Sequence, residues 1–137
     1  MLAVVWRVSD ERWDVDSFVA EFGLEPSRVW RKGDLGRRGR PRVESGFNLS
    51  IDRDDDDLPH ALEDIRTFIK ANRTALARLR AEGIRSTLDI GITVGADPHY
   101  TRSVSLAAAD LAAIAAEGID LEVSAYPSSG DDEPPNT

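Results

Sequence analysis

Cysteine is absent from the 137 residues. That excludes disulfides, thiol nucleophiles and cysteine-ligated metal, and it permits a cytoplasmic location. Lysine is nearly absent too. Lys32 and Lys70 are the only two, so Schiff-base chemistry has few candidates. The two histidines, His60 and His99, lack the partner spacing of a zinc site. There is no Gly-x-Gly-x-x-Gly, no Walker pattern and no Gly-x-Ser-x-Gly elbow. A hydrolase assembled from scattered Ser, His and acidic residues is therefore the least favoured class. No apolar run approaches the roughly 20 residues needed to span a bilayer. The stretch Met1 to Arg7 has no basic leader and is too short in apolar residues for a signal peptide. Nothing calls for a cofactor or a metal.

What is present is an asymmetry of charge. The chain carries a net charge of -8. Residues 28–42 hold seven of its 17 basic residues and one acid, Asp34, so that segment is +6. The other 122 residues hold 10 bases against 24 acids, or -14. A cationic loop on an acidic body marks where the molecule acts. The acidic balance disfavours binding of nucleic acid or anionic membrane by the whole surface, and leaves open a local basic contact.

The length fits one domain, able to bury about two thirds of its unfolded surface. Leu2 to Val8 is apolar and β-branched and reads as a first strand. Asp14 is a good N-cap, with Trp13 and Phe18 at the spacing of a hydrophobic staple. Val15, Phe18, Val19 and Phe22 give the stripe of a short helix, and Gly23 stands where a left-handed cap is expected. A basic loop follows. A second strand is expected from Val43 to Ile51 and ends on the acids Asp52 to Asp57. Pro59 opens one long helix to about Glu82, with Leu62, Ile65, Ile69, Leu76 and Leu79 on one face. Thr87 to Val94 alternates as a strand. Leu106 to Glu117 is an alanine-rich helix with Leu111 and Ile114 expected inward. Ile119 to Tyr126 is a last strand.

The expected fold is α+β: a single-domain two-layer sandwich, with a mainly antiparallel sheet of about four strands and two or three helices on one face. Strands that alternate apolar with polar suit a sheet covered on one side only. Residues 1–126 form the expected domain, and 127–137 an expected disordered acidic tail.

One pattern is Leu-x-Pro-x-x-x-Trp-x-x-Gly-Asp, here Leu24, Pro26, Trp30, Gly33 and Asp34. A strand led by Gly46-Phe47-Asn48-Leu49 follows. Then come a long helix, an alternating strand, a short Ala/Leu helix and a strand closing on Tyr126. Over about residues 3–126 this resembles the bacterial domain-of-unknown-function family 4279. The sequence departs from the family pattern at Phe47, where many members carry Trp, and in a longer insert from Gly36 to Arg42. The resemblance implies the same element order in a small bacterial protein and supplies no mechanism.

The segment Trp30-Arg31-Lys32-Gly33-Asp34 has two readings. In one it is a fold-defining turn, with Trp30 packed across the sheet edge and Asp34 paired to an arginine. In the other Trp30, Arg31, Lys32, Asp34, Arg37 and Arg38 form a binding platform for an anion or nucleotide. The stretch Gly36 to Arg42 is similar to arginine-glycine segments that touch nucleic-acid backbones, or else is a solvated loop. The run Asp52 to Asp57 lacks the internal Gly and distal Glu of a calcium loop and suits a helix N-terminus better. The preferred expectation is a non-catalytic binding protein, immunity-type or regulatory, charge-complementary to a basic protein partner. The alternative is a ligand- or RNA-binding module using the Trp30 loop.

Overall fold

The computed structural model describes residues 1–96 and 100–128. Leu2–Asp10 is β1 and Val15–Glu21 is α1. Arg28–Trp30 is β2, Ser45–Ser50 is β3, Leu58–Ala71 is α2 and Arg73–Ala81 is α3. Ser86–Val94 is β4, Ala108–Ala116 is α4 and Ile119–Pro127 is β5. The strands form one sheet in the order β2-β3-β1-β4-β5. All neighbours are antiparallel except β4 and β5.

The period-2 pattern of β1 explains the two layers. Leu2, Val4, Trp6 and Val8 are buried and share a face with Phe47 of β3 and with Leu88, Ile90 and Ile92 of β4. The helices cover that face. Phe18 of α1 stacks on Phe47 at 6.1 Å, and Phe68 of α2 meets Trp6 edge-on at 4.9 Å. Leu76 and Leu79 carry α3 into the same core. Arg66 of α2 donates to Asp110 of α4 at 2.7 and 2.9 Å. The opposite face carries Arg7, Trp30, Asn48, Asp89 and Glu122, and no helix among the described residues covers it. The α+β two-layer architecture is thus as expected.

Local chemistry fixes the first helix as the sequence implied. The Asp14 carboxylate accepts the Ser17 backbone N–H at 3.1 Å, and Trp13 packs on Phe18 at 5.1 Å. Gly23 has φ +60°, the left-handed cap that ends α1.

Four expectations need correction. The sheet has five strands: β2 lies inside the stretch read as a loop and exists because β3 supplies a backbone ladder to it. The second strand starts at Ser45, and Val43 is 68% exposed. The long helix is two helices. Asn72 leaves helical geometry at φ -117°, and both its backbone and side-chain amides donate to the Phe68 carbonyl. A short amide side chain that bonds its own backbone breaks the helix there. With α1 and α4 this makes four α-helices among the described residues. Finally, Leu111 points outward at 46% exposure, and Asp110 takes the inward place beside Ile114.

The last strand runs through Pro127, and the Ser128 N–H donates to the Val94 carbonyl. The expected tail beyond it falls on residues 129–137, outside the described residues, as does His99.

Candidate functional site

Pro26 and Gly33 bracket β2, and the chain then leaves the sheet between Arg31 and Glu44 to form a small hairpin. The Gly33 N–H donates to the Arg42 carbonyl, the Arg42 N–H to the Asp34 carbonyl and the Gly36 N–H to the Arg40 carbonyl, each at 2.8 Å. Leu35 and Pro41 face each other in an isolated bridge. Arg37 to Gly39 make the tip, closed by the Gly39 N–H on the Gly36 carbonyl. Arg38 sits there at φ +64°, a left-handed conformation uncommon for a side chain of its size.

The candidate residues of this segment do not converge. The Trp30 ring lies over Gly46 of β3, and the Arg42 guanidinium lies 4.8 Å from the ring centroid. Trp30 is partly buried, and one face of its ring holds Arg42. Arg31 turns the other way and makes a two-pronged ion pair with Asp16 of α1 at 2.6 and 2.7 Å. That bond holds the Arg31 guanidinium above its ordinary pKa. The Asp34 carboxylate accepts the Arg31 backbone N–H at 2.8 Å, so it shapes the turn instead of pairing with an arginine side chain. Lys32 is tethered through its backbone N–H to the Ser45 hydroxyl, and its side chain is exposed. Arg37 and Arg38 are exposed at the tip.

What distinguishes residues 28–42 is how many of their charges stand outside ion pairs. On the body, Arg53 pairs with Asp64, Arg66 with Asp110, Arg78 with Glu21, Arg80 with Glu117, Arg85 with Asp120 and Arg102 with Asp56. Among the described residues, the basic side chains outside any ion pair are Arg12, Lys70 and six from residues 28–42. Those six are Arg28, Lys32, Arg37, Arg38, Arg40 and Arg42.

Sequence reasoning missed a second cluster, on the open face of the sheet. Asp89 of β4 is 5% exposed. It accepts from Arg7 at 3.2 Å and from the Ser124 hydroxyl at 2.8 Å, and Arg7 also donates to Asn48 at 3.4 Å. Glu122 stands 3.9 Å from Arg7. Both Asp89 oxygens are occupied, so this network cross-links β3, β1, β4 and β5. Its only sequence signal was a polar residue at alternate strand positions.

The acidic run is likewise engaged. Asp52 accepts the Val4 N–H at 2.9 Å, Asp57 caps α2 and Asp56 holds Arg102. No group of acids or histidines among the described residues is placed to hold a metal ion. Asp55 contacts the His60 ring at 2.5 Å. That hydrogen bond raises the His60 pKa, helped by the charges of Asp57 and Asp55 and opposed by desolvation and Arg53. The same bond keeps Asp55 below the usual carboxylate range. The protonated imidazole therefore stabilises the fold fully below the ordinary value of about 6.5, and the contribution is lost as pH rises through the raised folded value. An NMR titration is expected to place His60 above the ordinary value, and Asp55→Asn to bring it back down. A wild-type value at or below the ordinary one would refute the pairing.

A family model described as "Domain of unknown function (DUF4279)" matches residues 2–128. No curated protein and no solved structure matches the chain.

Proposed function

From the premise that the chain belongs to the DUF4279 family, we propose that it is a non-catalytic binding protein that grips an anionic macromolecule with the hairpin at 31–42. The proposal includes a cytoplasmic setting and names the phosphodiester backbone of single-stranded RNA as the partner. One observation carries it: six of the eight basic side chains outside ion pairs cluster in residues 28–42. A guanidinium already bonded to a carboxylate must break that bond before it can bind phosphate, whereas these need not. Free guanidiniums bind phosphate with two parallel hydrogen bonds. Because Arg42 lies over the Trp30 ring, the proposed contact is to backbone and indifferent to base sequence.

The -14 of the remaining residues supports a second reading, in which the acidic body meets a basic protein partner of the immunity-type or regulatory kind. The two readings part at the hairpin. The full chain and an Arg37→Gln, Arg38→Gln, Arg40→Gln variant are titrated against labelled single-stranded RNA at two salt concentrations. The variant is expected to bind at least about tenfold more weakly, and its log–log salt slope to shrink by about 0.7 for each phosphate no longer neutralised. RNA binding that is absent in the wild type, or equal in the two proteins, would overturn the hairpin reading. Capture of a basic protein, unchanged or strengthened in the variant, would support the second.

A further inference from the structure

Helix α4 is built inside out. Its nine residues, Ala108 to Ala116, contain one charge, Asp110, and that charge points inward to Arg66. Ala109, Leu111, Ala112, Ala113 and Ala116 face outward. A surface helix normally carries its polar residues outward, and a helix apolar all round is normally covered.

Among the described residues, nothing pairs with the outer edge of the strand beside it. β5 is the outer strand of the sheet and is nine residues long. The Ser128 N–H donates to Val94 of β4, so by alternation the even-numbered residues of β5 turn their backbone groups toward β4. Ile119, Leu121, Val123 and Ala125 then turn theirs outward. Apart from Pro127 at its end, this edge has none of the lysines, bulges or interior prolines that usually blunt one. On the helix side Val123 is 48% exposed. α4 runs back antiparallel over β5 from the turn at Gly118, so Leu111 lies at about the level of Leu121 to Val123, at 1.5 Å per helical and 3.3 Å per strand residue. The other edge strand, β2, has only three residues.

We propose that α4 and β5 form the contact with a second copy of this chain. β5 pairs antiparallel with its own image across a two-fold axis near Val123, giving a continuous ten-stranded sheet, and α4 packs on its image through alanines. Charge selects this occupant. Near a two-fold axis every charge meets its own image, so a self-contact needs a neutral patch. Here Asp110 is neutralised by Arg66 and Asp120 by Arg85 at 3.2 Å, within one chain, while Glu122 shares Arg7, 3.9 Å away, with Asp89. Pairing about Val123 sets Glu122 opposite Ser124 and Asp120 opposite Tyr126, so no like charges face each other directly. A β5 edge about 30 Å long and about 10 Å across, with about 14 Å of helix about 10 Å wide beside it, gives a footprint of roughly 450 Å², below the ~800 Å² per partner of a stable dimer. A weak dimer, with a micromolar Kd, is the expected strength.

The test is sedimentation equilibrium of the full chain from about 1 to about 500 µM, a range that brackets a micromolar Kd. Wild type is expected to pass from monomer to dimer. Val123→Lys and, separately, Ala112→Glu are expected to stay monomeric with an unchanged circular dichroism spectrum. Should Val123→Lys fold poorly, Ala112→Glu on the exposed helix face decides alone. A wild type that stays monomeric throughout would overturn the proposal. So would a dimer that survives both substitutions, or one abolished by replacing Arg37, Arg38 and Arg40 instead.

Discussion

Trp6→Ala is expected to remove about 3–5 kcal/mol of stability, out of the 5–15 kcal/mol typical of a whole domain. Trp6 is fully buried in the central strand. Its ring meets Phe47 edge-on at 5.0 Å and Phe68 at 4.9 Å, so it joins the sheet to α2. Its indole N–H donates to the Ser86 hydroxyl, which is buried as well. Truncation therefore opens a cavity between the layers and strips a buried hydroxyl of its partner. Ser86→Ala isolates the second effect: it leaves the indole N–H unsatisfied and is expected to lose about 1–3 kcal/mol. Urea unfolding of both variants measures the two. A loss under about 1 kcal/mol for Trp6→Ala would mean that the core does not hinge on this ring.

The second large effect is expected from a single added methyl. In Gly46→Ala the new Cβ would lie 2.4 Å from the Val8 carbonyl oxygen, 2.7 Å from Trp30 Cζ2 and 2.8 Å from Ser9 Cβ. The first and third of these belong to the main chain of β1 or are rooted on it, so the central strand itself must move. Overpacking of ordinary cores removes about 1–3 kcal/mol, and this site is expected at or above the top of that range. Gly91→Ala is the internal control. Its nearest atom, at 3.3 Å, is Cε2 of the Tyr126 side chain, which can shift, and little loss is expected. Removing the ring in a Gly46→Ala, Trp30→Ala double variant is not expected to restore stability, because the Val8 carbonyl remains. Equal melting temperatures for Gly46→Ala and wild type would dismiss close approach as the reason for glycine here.

The parts of the fold that were legible in the sequence are those fixed by local chemistry. The apolar, β-branched run of β1, the alternation of β4 and the Trp13–Asp14–Phe18 staple each act over a few residues. β2 was not legible, because three residues become a strand only when β3 lies alongside. Nor was the orientation of α4. Periodicity favours Leu111 as an inward residue, but Asp110 goes inward because Arg66, 44 residues away, bonds it there. At the site, composition located the cationic segment and spacing grouped Trp30 with its neighbours. The structure separates them: Arg31 goes to Asp16, and Arg42, distant in sequence, lies over the ring. Asp89 and Arg7 were hidden because a polar residue at alternate strand positions looks the same whether it faces water or another charge.

The strand order sets a schedule for the newly made chain. β1 precedes the other four strands of the sheet in the chain and is the middle one in space, and it pairs with β4 at positions such as Leu2 with Ile92. Ribosomes add about 5–20 residues each second, so β1 waits roughly 4 to 17 s for that partner on the same figures. Through that interval it has β3 and the helices that precede β4 to lie against, with one long edge open. Pairings so distant along the chain also make folding slow once all residues are present. The interval before β4 arrives is when the protein is most exposed to aggregation, and when a chaperone that shields β1 would raise its yield most.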